Sequence, residues 1–438
     1  MSEAQATWSA DGSYLPQIDP HTQAKHRILE AYIENLIITL YGTGQHGLEK
    51  FTFVDGFCGG GIYDNRDNKQ PWYGSPIRII NAVREGYKKS RRTYPLDVKF
   101  IFIDNNPDHL NCLKYYSMPQ SGFEELIDEQ PHEFISEWGK RVEQCEFMYG
   151  KFEDLVNECV FKVDIRKGHS FFLLDPFGWS HVSMSSIRKI NSLGKSEILY
   201  TYMIDFLKIY VLGKHGKNRD SFNKILEADG YYELADLENM DSFGEQSYYR
   251  NESMRLFRDK GNAKYIFTFS LIPRGEVRVL YYLIHISSNL RALEVMKDSF
   301  WQENNLDYQY HFEIYGYGFQ TATFYEKNQI ELSFDITKDS YEICMDKLDR
   351  DVGKLIFDNP GGISFQEIRK TMPLNPANRK LYNKYLNRYI SEKELEVWRS
   401  GELLKRKQIE FRNNDIIKVV SKYQTSLFYK SKFFSTDL

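Results

Sequence analysis

The sequence predicts an α/β fold in which a mostly parallel sheet ends in an antiparallel hairpin, followed by a smaller C-terminal domain. Apolar segments with the period of strands alternate with segments of helical period through the larger part of the chain. Three of the apolar segments end in an acid, at Asp55, Asp104 and Asp175. Two further apolar segments flank Pro273-Arg274-Gly275-Glu276, which is a turn signal for a hairpin.

Length and composition indicate a globular protein of more than one domain. The chain has 438 residues, of which 42% are hydrophobic and 27% charged. The longest apolar run, Val279–Ile286, is too short to span a bilayer, and the N-terminus lacks a secretory pattern. Five scattered cysteines without a C-x-x-C pair indicate free thiols in a reducing compartment. We therefore predict a cytoplasmic protein with no membrane contact and no metal site.

Shifts in composition divide the chain into three predicted parts. The sheet domain occupies residues 1–303, with polar insertions near 120–144 and 213–262. An aromatic-rich connector covers 304–343, and its aromatic side chains are interpreted as packing rather than as a stacking platform. The C-terminal domain is predicted over 344–438.

The first predicted helix precedes the first strand. Apolar residues recur at helical spacing from Ile28 onward, which predicts a helix over 21–41. His21, Lys25 and His26 fall in its first turns, and we interpret them as a solvated helix start rather than as functional groups.

The segment Phe51–Tyr63 begins as a strand and breaks after Asp55 into a turn with three consecutive glycines, Gly59 to Gly61. Glycine allows a positive φ and places no Cβ between the chain and a ligand. In α/β folds, a parallel strand that ends in an acid and a glycine-rich turn brings the backbone close to a nucleotide-like ligand. The turn is therefore predicted to lie against such a ligand.

The helix after this turn is predicted over 77–88, with Ser75 as its N-cap and Pro76 at its start. A polar loop of about a dozen residues separates it from the glycines and is long enough to cover a bound ligand. Within the loop, Trp72 and Tyr73 either cap the ligand or pin the loop, and the sequence leaves both interpretations open.

The second strand, Val98–Asp104, has the apolar pattern of a strand buried on both faces. An acid at this position is the expected partner of a ribose diol, because a carboxylate accepts hydrogen bonds from both hydroxyls. Asp104 could instead cap the next helix, but Asn105 or Asn106 could fill that role. We therefore favour the ribose interpretation.

Cys145–Tyr149 predicts a short third strand, followed by a helix. The third tip of such a sheet lies beside a bound adenine. Phe152 is the expected apolar contact there, with Glu153 or Asp154 as further candidates.

The fourth strand, Ser170–Asp175, leads into Asp175-Pro176-Phe177-Gly178-Trp179. This tip brings a carboxylate, a backbone carbonyl and an aromatic face together. An enzyme that acts on an exocyclic amino group needs this set, because the two oxygens accept the amino hydrogens while the ring stacks on the base. The alternative is a tight proline turn with a packed phenylalanine.

A fifth strand is predicted over 195–203 and a helix over 207–212, before the polar insertion. Strands over 263–271 and 276–287 then form the hairpin, and a helix follows over 290–301. Two features argue against an NAD-dependent enzyme: this hairpin, and the spacing of 43 positions from Gly61 to Asp104, where a dinucleotide fold has about 20.

The C-terminal domain is predicted to contain three helices followed by β-structure. Ser364 with Glu367 is a capping box for the second helix, and the third covers 378–389. Residues 345–438 hold 19 Lys and Arg against 12 Asp and Glu, whereas the rest of the chain holds 38 against 49. This layout predicts a winged helix-turn-helix, although a protein-binding module is the alternative. The residues expected on nucleic acid are Arg379, Lys380, Lys384, Arg388, Lys405, Arg406 and Lys407.

The order of glycine turn, Asp104 tip, Asp175-Pro-Phe-Gly tip and final hairpin resembles the class I S-adenosylmethionine-dependent methyltransferase fold, which is Rossmann-like. Val54–Gly61 is similar to the first motif of that class, hydrophobic-Asp-x-Phe-x-Gly-x-Gly. More narrowly, residues 20–303 resemble the bacterial three-Cys-motif partner proteins. Three stretches carry this resemblance: His21–His26 with Leu29 and Tyr32, Asp175–Gly178, and Tyr282–Ser287.

The resemblance implies S-adenosylmethionine as cofactor and a radical-type partner protein with three cysteines. It implies that Asp55, Gly59 and Gly61 line the methionine part of the cofactor and that Asp104 binds its ribose. The further cofactor-binding candidates are Gly56, Phe57, Ser75, Pro76, Asn105, Phe152 and Glu153. The catalytic candidates are the residues of the fourth strand tip, Asp175, Pro176, Phe177 and Trp179. Phe177 stands where amino-methyltransferases have a second proline, so either Phe177 or Trp179 is the stacking aromatic.

Two functions follow from the sequence. In the first, a methyltransferase modifies an amino group of a base in nucleic acid, DNA rather than RNA, and is guided by the winged helix. In the second, the fold binds the cofactor or a nucleotide without turnover, as an interaction or regulatory subunit, with anti-phage defence as one setting.

Overall fold

The chain divides into two compact units, Met1–Leu332 and Ser333–Leu438, and the boundary falls inside the predicted connector. The computed structural model describes residues 6–42, 49–65, 70–92, 94–137, 139–204, 207–208, 218–233, 242–273, 279, 281–303, 310–313, 344–345, 347–372, 375 and 377–420. The predicted helix over 207–212 and the turn at 274–276 therefore fall largely outside the described residues.

The first unit alternates strands and helices. Its strands are β1 Lys50–Asp55, β2 Ile62–Tyr63, β3 Trp72–Tyr73, β4 Leu96–Asp104, β5 His132–Ser136, β6 Gly139–Tyr149, β7 His169–Leu174, β8 Ser196–Tyr202, β9 Tyr265–Pro273, β10 Tyr281–Ser287 and β11 Tyr310–Glu313. Its α-helices are α1 Pro20–Leu40, α2 Ser75–Ser90, α3 Pro107–Cys112, α4 Met118–Gln120, α5 Phe152–Arg166, α6 Met184–Asn191, α7 Arg219–Leu226, α8 Ser242–Asp259 and α9 Leu290–Glu303. Other helical turns are Leu113–Ser117, Glu124–Asp128 and Trp179–His181.

One large sheet organises this unit, with the strand order β11-β9-β10-β8-β7-β1-β4-β6-β5. The strands β6, β4, β1, β7 and β8 run parallel, whereas β10 is antiparallel to both β8 and β9. After β1 the chain builds outward through β4 and β6, then returns to the other side of β1 to build β7 and β8. This is a Rossmann-like α/β sheet, and its strand order reverses between β1 and β7. The predicted parallel sheet with an antiparallel hairpin at its end is confirmed.

The central strands are apolar on both faces because helices cover both sides of the sheet. Phe53 of β1 pairs in register with Phe100 of β4 and Phe171 of β7, and all three side chains are buried. Helix α1 packs beside α2 and α9. Fully buried Ile28, Tyr32 and similar residues form the inward stripe that the sequence predicted for α1.

A buried polar cluster fastens α1 to the sheet. The Tyr32 hydroxyl donates to the Glu197 carboxylate, and His285 Nε2 lies 3.0 Å from the same Glu197 oxygen. Glu197 and His285 belong to the adjacent strands β8 and β10. Burial raises the pKa of Glu197. Tyr32 and His285 both lie in stretches that carried the family resemblance, and in the structure their contacts hold an element in place.

Both predicted insertions contain regular structure. Residues 120–144 include β5 and the first part of β6, so β6 is 11 residues long. The acidic composition of this stretch does not mean that all of its acids are exposed, because Glu143 is fully buried in β6 and paired with Arg84 at 2.7 Å. Residues 213–262 contain α7 and α8.

The second unit contains a helical turn at Asp349–Gly353, the helices α10 Lys354–Phe357, α11 Phe365–Thr371 and α12 Arg379–Ser391, and four strands. The strands are β12 Ile363–Ser364, β13 Leu395–Arg399, β14 Glu402–Leu403 and β15 Ile416–Val419, paired antiparallel in the order β12-β15-β13-β14. Ser364 Oγ accepts from the Glu367 N–H at 3.0 Å, so the predicted N-cap is confirmed. Val352, Ile356, Phe365 and Leu386 are among the buried residues of this unit.

Candidate functional site

A cavity of about 430 Å³ lies at the carboxyl ends of the parallel strands, where the strand order reverses. Open α/β sheets bind their ligands in this crevice. Ten of the predicted residues line it: Gly56, Phe57, Gly59, Asp104, Asn105, Phe152, Glu153, Asp175, Pro176 and Phe177. The tips of β1, β4, β6 and β7 thus meet at one cavity, as the sequence predicted. Asp55, Gly61, Ser75, Pro76 and Trp179 do not line it.

Asp55 supports the glycine turn from behind. Its carboxylate is fully buried, accepts from Ser75 Oγ at 2.6 Å, and accepts from the Phe57 N–H at 3.2 Å. Burial raises the pKa of Asp55 to about 7. The predicted N-cap role of Ser75 is wrong: Gly74 is the N-cap of α2, and the Ser75 hydroxyl is bonded to Asp55.

Asp104 connects the glycine turn to α3. One carboxylate oxygen accepts from the Gly59 N–H at 3.0 Å, and the other accepts from the Asn106 N–H at 2.8 Å. His109 Nδ1 lies 3.1 Å from the second oxygen. The side chain that caps α3 is Asn106, which accepts from the Asp108 N–H at 2.9 Å. Asp104 therefore stays available to the cavity that it lines.

His109 also lines the cavity and was not singled out by the sequence. Its side chain is 4% exposed. With Nδ1 directed at Asp104, the other ring nitrogen, Nε2, is buried and has no hydrogen-bond partner among the described residues. A buried nitrogen without a partner beside a cavity is suited to a polar ligand. The position five residues after an acidic strand tip is the signal that could have identified it.

The glycines of the turn make room for protein side chains. A Cβ on Gly59 or Gly60 would lie 2.8 Å or 2.3 Å from Trp8, and one on Gly61 would lie 2.6 Å from Leu113. Gly59 and Gly61 also have positive φ angles, of 60° and 83°. The space that the sequence assigned to a ligand beside Gly59 and Gly60 is therefore occupied by Trp8.

The start of α1 reaches the cavity, so its interpretation as a solvated helix start is wrong. Lys25 Nζ contacts both carboxylate oxygens of Asp175, at 2.8 Å and 2.6 Å. The His21 ring stacks on Tyr281 with a centroid distance of 5.0 Å, and Lys25 Nζ lies 5.5 Å from the centre of the same ring. His21 and Lys25 are four residues apart and share a helix face. The four-residue spacing is visible in the sequence, but the sequence does not show that this helix face is directed at the cavity.

Trp72 pins its loop to α1 and α2. Its Nε1–H donates to His26 Nδ1 at 3.0 Å, and the Arg78 guanidinium lies 4.3 Å from the centre of its ring. These contacts match the pinning interpretation of Trp72. Burial lowers the pKa of His26 well below its usual range, which keeps it neutral as the acceptor.

The tip after β7 holds its acid, carbonyl and aromatic ring close together. The Pro176 carbonyl accepts from the Gly178 N–H at 3.1 Å, which leaves one lone pair. Phe177 lines the cavity, whereas Trp179 packs edge-on against Phe222 at 5.5 Å. Of the two aromatic candidates, Phe177 is the one at the cavity.

The third tip supplies an apolar wall and an internal tie. Phe152 is buried and packs against Phe57, with ring centroids 5.9 Å apart. The Glu153 carboxylate accepts from the Ser183 N–H at 2.5 Å and from Ser186 Oγ at 3.0 Å, at the start of α6. Glu153 thus connects α5 to α6 as well as lining the cavity.

The basic residues of the second unit are mostly exposed. Lys380, Lys384 and Arg388 follow at four-residue intervals along α12, and 405–407 are exposed between β14 and β15. Arg379 differs from the rest, because it is half-buried and donates to the Phe411 carbonyl at 2.7 Å. Six of the seven predicted residues therefore present charge at the surface of this unit.

Within the described ranges, no helix combines the length and hydropathy needed to cross a membrane. The same ranges contain no group of three or more His, Cys, Asp or Glu side chains arranged to hold a metal ion.

No protein-family model matches the chain, and no curated protein does. Solved structures that are similar to it in part include the following two. One is protein LPL1258 from Legionella pneumophila str. Philadelphia 1, family-model DUF519. It is 10% identical in sequence, with a TM-score of 0.33, and the match covers 65% of this chain and 95% of LPL1258. The plantazolicin methyltransferase BpumL in complex with SAH is 7% identical in sequence, with a TM-score of 0.26, and the match covers 61% of this chain and 86% of BpumL. Fold and cavity together define a Rossmann-like α/β protein with a candidate ligand site at the switch point.

Proposed function

We propose that the protein is an S-adenosylmethionine-dependent methyltransferase that acts on an amino group of a base in nucleic acid. The observation that carries this proposal is that Asp104 and the Asp175-Pro176-Phe177 tip line one cavity. In this proposal Asp104 holds a nucleoside cofactor, and the Asp175-Pro176-Phe177 tip holds an amino-bearing acceptor.

The residues present fit this cofactor. Asp104 has one carboxylate lone pair left for a ribose hydroxyl after its three protein contacts, on the oxygen that accepts from the Gly59 N–H. Phe57 and Phe152 form an apolar wall suited to a flat adenine ring. The buried Nε2 of His109 needs a hydrogen-bond partner that a polar ligand would supply.

When bound, the cofactor supplies a methyl group on a positively charged sulfur. The chain then has to hold the acceptor nitrogen in line with that methyl group. Asp175 and the remaining lone pair of the Pro176 carbonyl would accept the two amino hydrogens, and Phe177 would stack on the base. The Lys25 ammonium contacts both oxygens of the Asp175 carboxylate and so fixes the orientation of that group.

The second unit resembles a winged helix-turn-helix in its order of helix, strand, two helices and hairpin. We propose that α12 and the basic loop bind DNA through Lys380, Lys384 and residues 405–407. A Lys380→Glu and Lys384→Glu double variant should bind a DNA duplex far more weakly in fluorescence anisotropy, with a smaller dependence on salt. An Arg379→Gln variant is the control, because Arg379 is bonded internally. Unchanged DNA affinity in the double variant would assign this unit to protein contacts.

The second candidate function is cofactor binding without turnover, as a regulatory subunit for a three-cysteine partner or an anti-phage system. A specific observation favours it: Asp175 is already paired with Lys25, and the Pro176 carbonyl already accepts one hydrogen bond. An acceptor amino group would have to compete with these internal contacts.

The experiment that separates the two functions measures binding and transfer on the same preparation. Isothermal titration of the whole chain with S-adenosylmethionine tests the cofactor, and transfer of a labelled methyl group to unmethylated DNA or RNA tests turnover. Binding with transfer supports the enzyme, and binding without transfer to any acceptor supports the regulatory subunit. The absence of measurable binding overturns the methyltransferase.

A further inference from the structure

The N-terminal segment (residues 6–18) forms one wall of the cavity. The Ile18 N–H donates to the Asp64 carbonyl, and the Asp64 N–H donates to the Pro16 carbonyl, both at 2.9 Å. Near the other end of the segment, Trp8 Nε1–H donates to the Ile62 carbonyl at 2.5 Å. These bonds attach the segment to the chain that follows the glycine turn, and Ala6 and Trp8 line the cavity.

The Trp8 indole is inserted against the glycine backbone. It is 7% exposed, and a Cβ on Gly60 would lie only 2.3 Å from its Cγ. Side chains do not approach this closely, so any residue larger than glycine at position 60 would displace the indole. Gly60 does not have a positive φ, unlike Gly59 and Gly61. Contact with Trp8 is therefore the reason that position 60 needs glycine.

Trp8 touches two groups that hold Asp104. It packs on Gly59, whose N–H donates to the Asp104 carboxylate. It also packs edge-on against the His109 ring, with centroids 4.9 Å apart and an interplanar angle of 77°. His109 Nδ1 lies 3.1 Å from the other Asp104 oxygen. Gly59 and His109 thus link the indole to both oxygens of one carboxylate.

We propose that Trp8 is a positioning residue for the cofactor site, which orients Asp104 toward ribose hydroxyls through Gly59 and His109. The proposal rests on the proposed function for the identity of the ligand. It assigns the N-terminal segment to the binding site, and it explains two of the three glycines by an aromatic side chain that lies about fifty residues earlier in the chain.

The packing step is tested without any ligand, by a double-mutant cycle on thermal unfolding. Trp8→Ala and Gly60→Ala should each lower the melting temperature. The double variant should be no less stable than Trp8→Ala alone, because the added methyl group then occupies vacated space. Additive losses would show that Gly60 serves something other than the indole and would overturn the packing step.

The positioning step is tested by selectivity for ribose hydroxyls. Adenosine and 2′,3′-dideoxyadenosine compete with S-adenosylhomocysteine on the whole chain. The wild type should prefer adenosine by about tenfold or more, as expected for hydrogen bonds to a charged group. Trp8→Ala should reduce this preference to near unity, and Trp8→Phe should restore part of it because an aromatic edge again faces His109.

Phe222→Leu is the matched control, since Phe222 is a buried aromatic residue of the same unit that does not line the cavity. It should weaken stability and leave the preference unchanged. A Trp8→Ala variant that binds both nucleosides more weakly by the same factor has only a structural defect, and that result overturns the positioning role. If wild-type protein fails to bind S-adenosylhomocysteine, the proposed function and the positioning role both fail, while the double-mutant cycle still decides the packing step.

Discussion

Two acidic strand tips line the same cavity but are held in different ways. Asp104 is fixed by backbone N–H groups of Gly59 and Asn106, which cannot move without moving the turn and the helix. Asp175 is held by one flexible side chain, Lys25, from 150 positions earlier in the chain. The β4 tip is therefore preorganised, and the β7 tip has an exchangeable partner. In the proposed methyltransferase, this difference suits a cofactor contact at Asp104 and an acceptor contact at Asp175.

The largest expected effect concerns Asp175. Asp175→Asn should lower the rate of methyl transfer by about 10³-fold, because the variant can neither orient the amino group fully nor take up its proton. Affinity for S-adenosylhomocysteine should change little. Labelled methyl incorporation and titration calorimetry measure the two quantities. An equal loss of cofactor affinity would contradict the distinction between the two tips, since Asp104 and Asp175 would then both bind the cofactor.

Asp55 provides a third case, an acid with no access to the cavity. Its pKa is raised from 3.8 to about 7 by burial, so the folded state retains a proton that the unfolded chain releases. The contribution of Asp55 to the free energy of unfolding is therefore greatest below pH 4. It falls by up to about 4 kcal/mol as the pH rises through about 7. Asp55→Asn should remove this part of the pH dependence in chemical denaturation between pH 4 and 8. An unchanged slope would show that Asp55 is ionised in the folded protein.

Asp104 should affect binding more than stability. Asp104→Ala should weaken S-adenosylhomocysteine binding by about a hundredfold, because the ribose loses charge-assisted hydrogen bonds. Asn106→Ala is the matched control: it removes the cap of α3 at a cost of about 1 kcal/mol in unfolding free energy and should leave the affinity intact. Equal losses in both variants would mean that the helix start, and not the carboxylate, determines binding.

Substitution of Lys25 should have the smallest effect on the rate of methyl transfer. It tests whether the contact between Lys25 and Asp175 helps or hinders the acceptor. Lys25→Met should lower methyl transfer by about tenfold, because Asp175 loses a charged partner, and Lys25→Arg should recover part of the rate. The transfer assay is the measurement, with cofactor affinity as the internal control. A faster Lys25→Met enzyme would mean that Lys25 blocks the acceptor position, which favours an enzyme whose activity is regulated through this contact.

The sheet itself was predictable because strand periodicity and acidic tips are local patterns. Each of β1, β4, β7 and β8 was located from the sequence to within one or two residues, and the tips were correctly expected to share one edge. Local composition failed for β6, where charged residues pair with one another within the fold. Glu143 is buried because Arg84 of α2 reaches it across the structure and Arg141 of β6 pairs with it as well.

Local patterns along the chain are enough to predict the order of strands and helices, the acids at the strand tips and the glycines of the turn. Tertiary structure alone decided what those groups contact. Lys25 meets Asp175 because α1 directs its first turns at the β7 tip, and Trp8 enters the glycine turn because the N-terminal segment runs back over it. Such pairings depend on the direction in which helices and loops cross the sheet. A local sequence pattern does not encode that direction, because periodicity shows that a residue is buried without showing which residue it contacts.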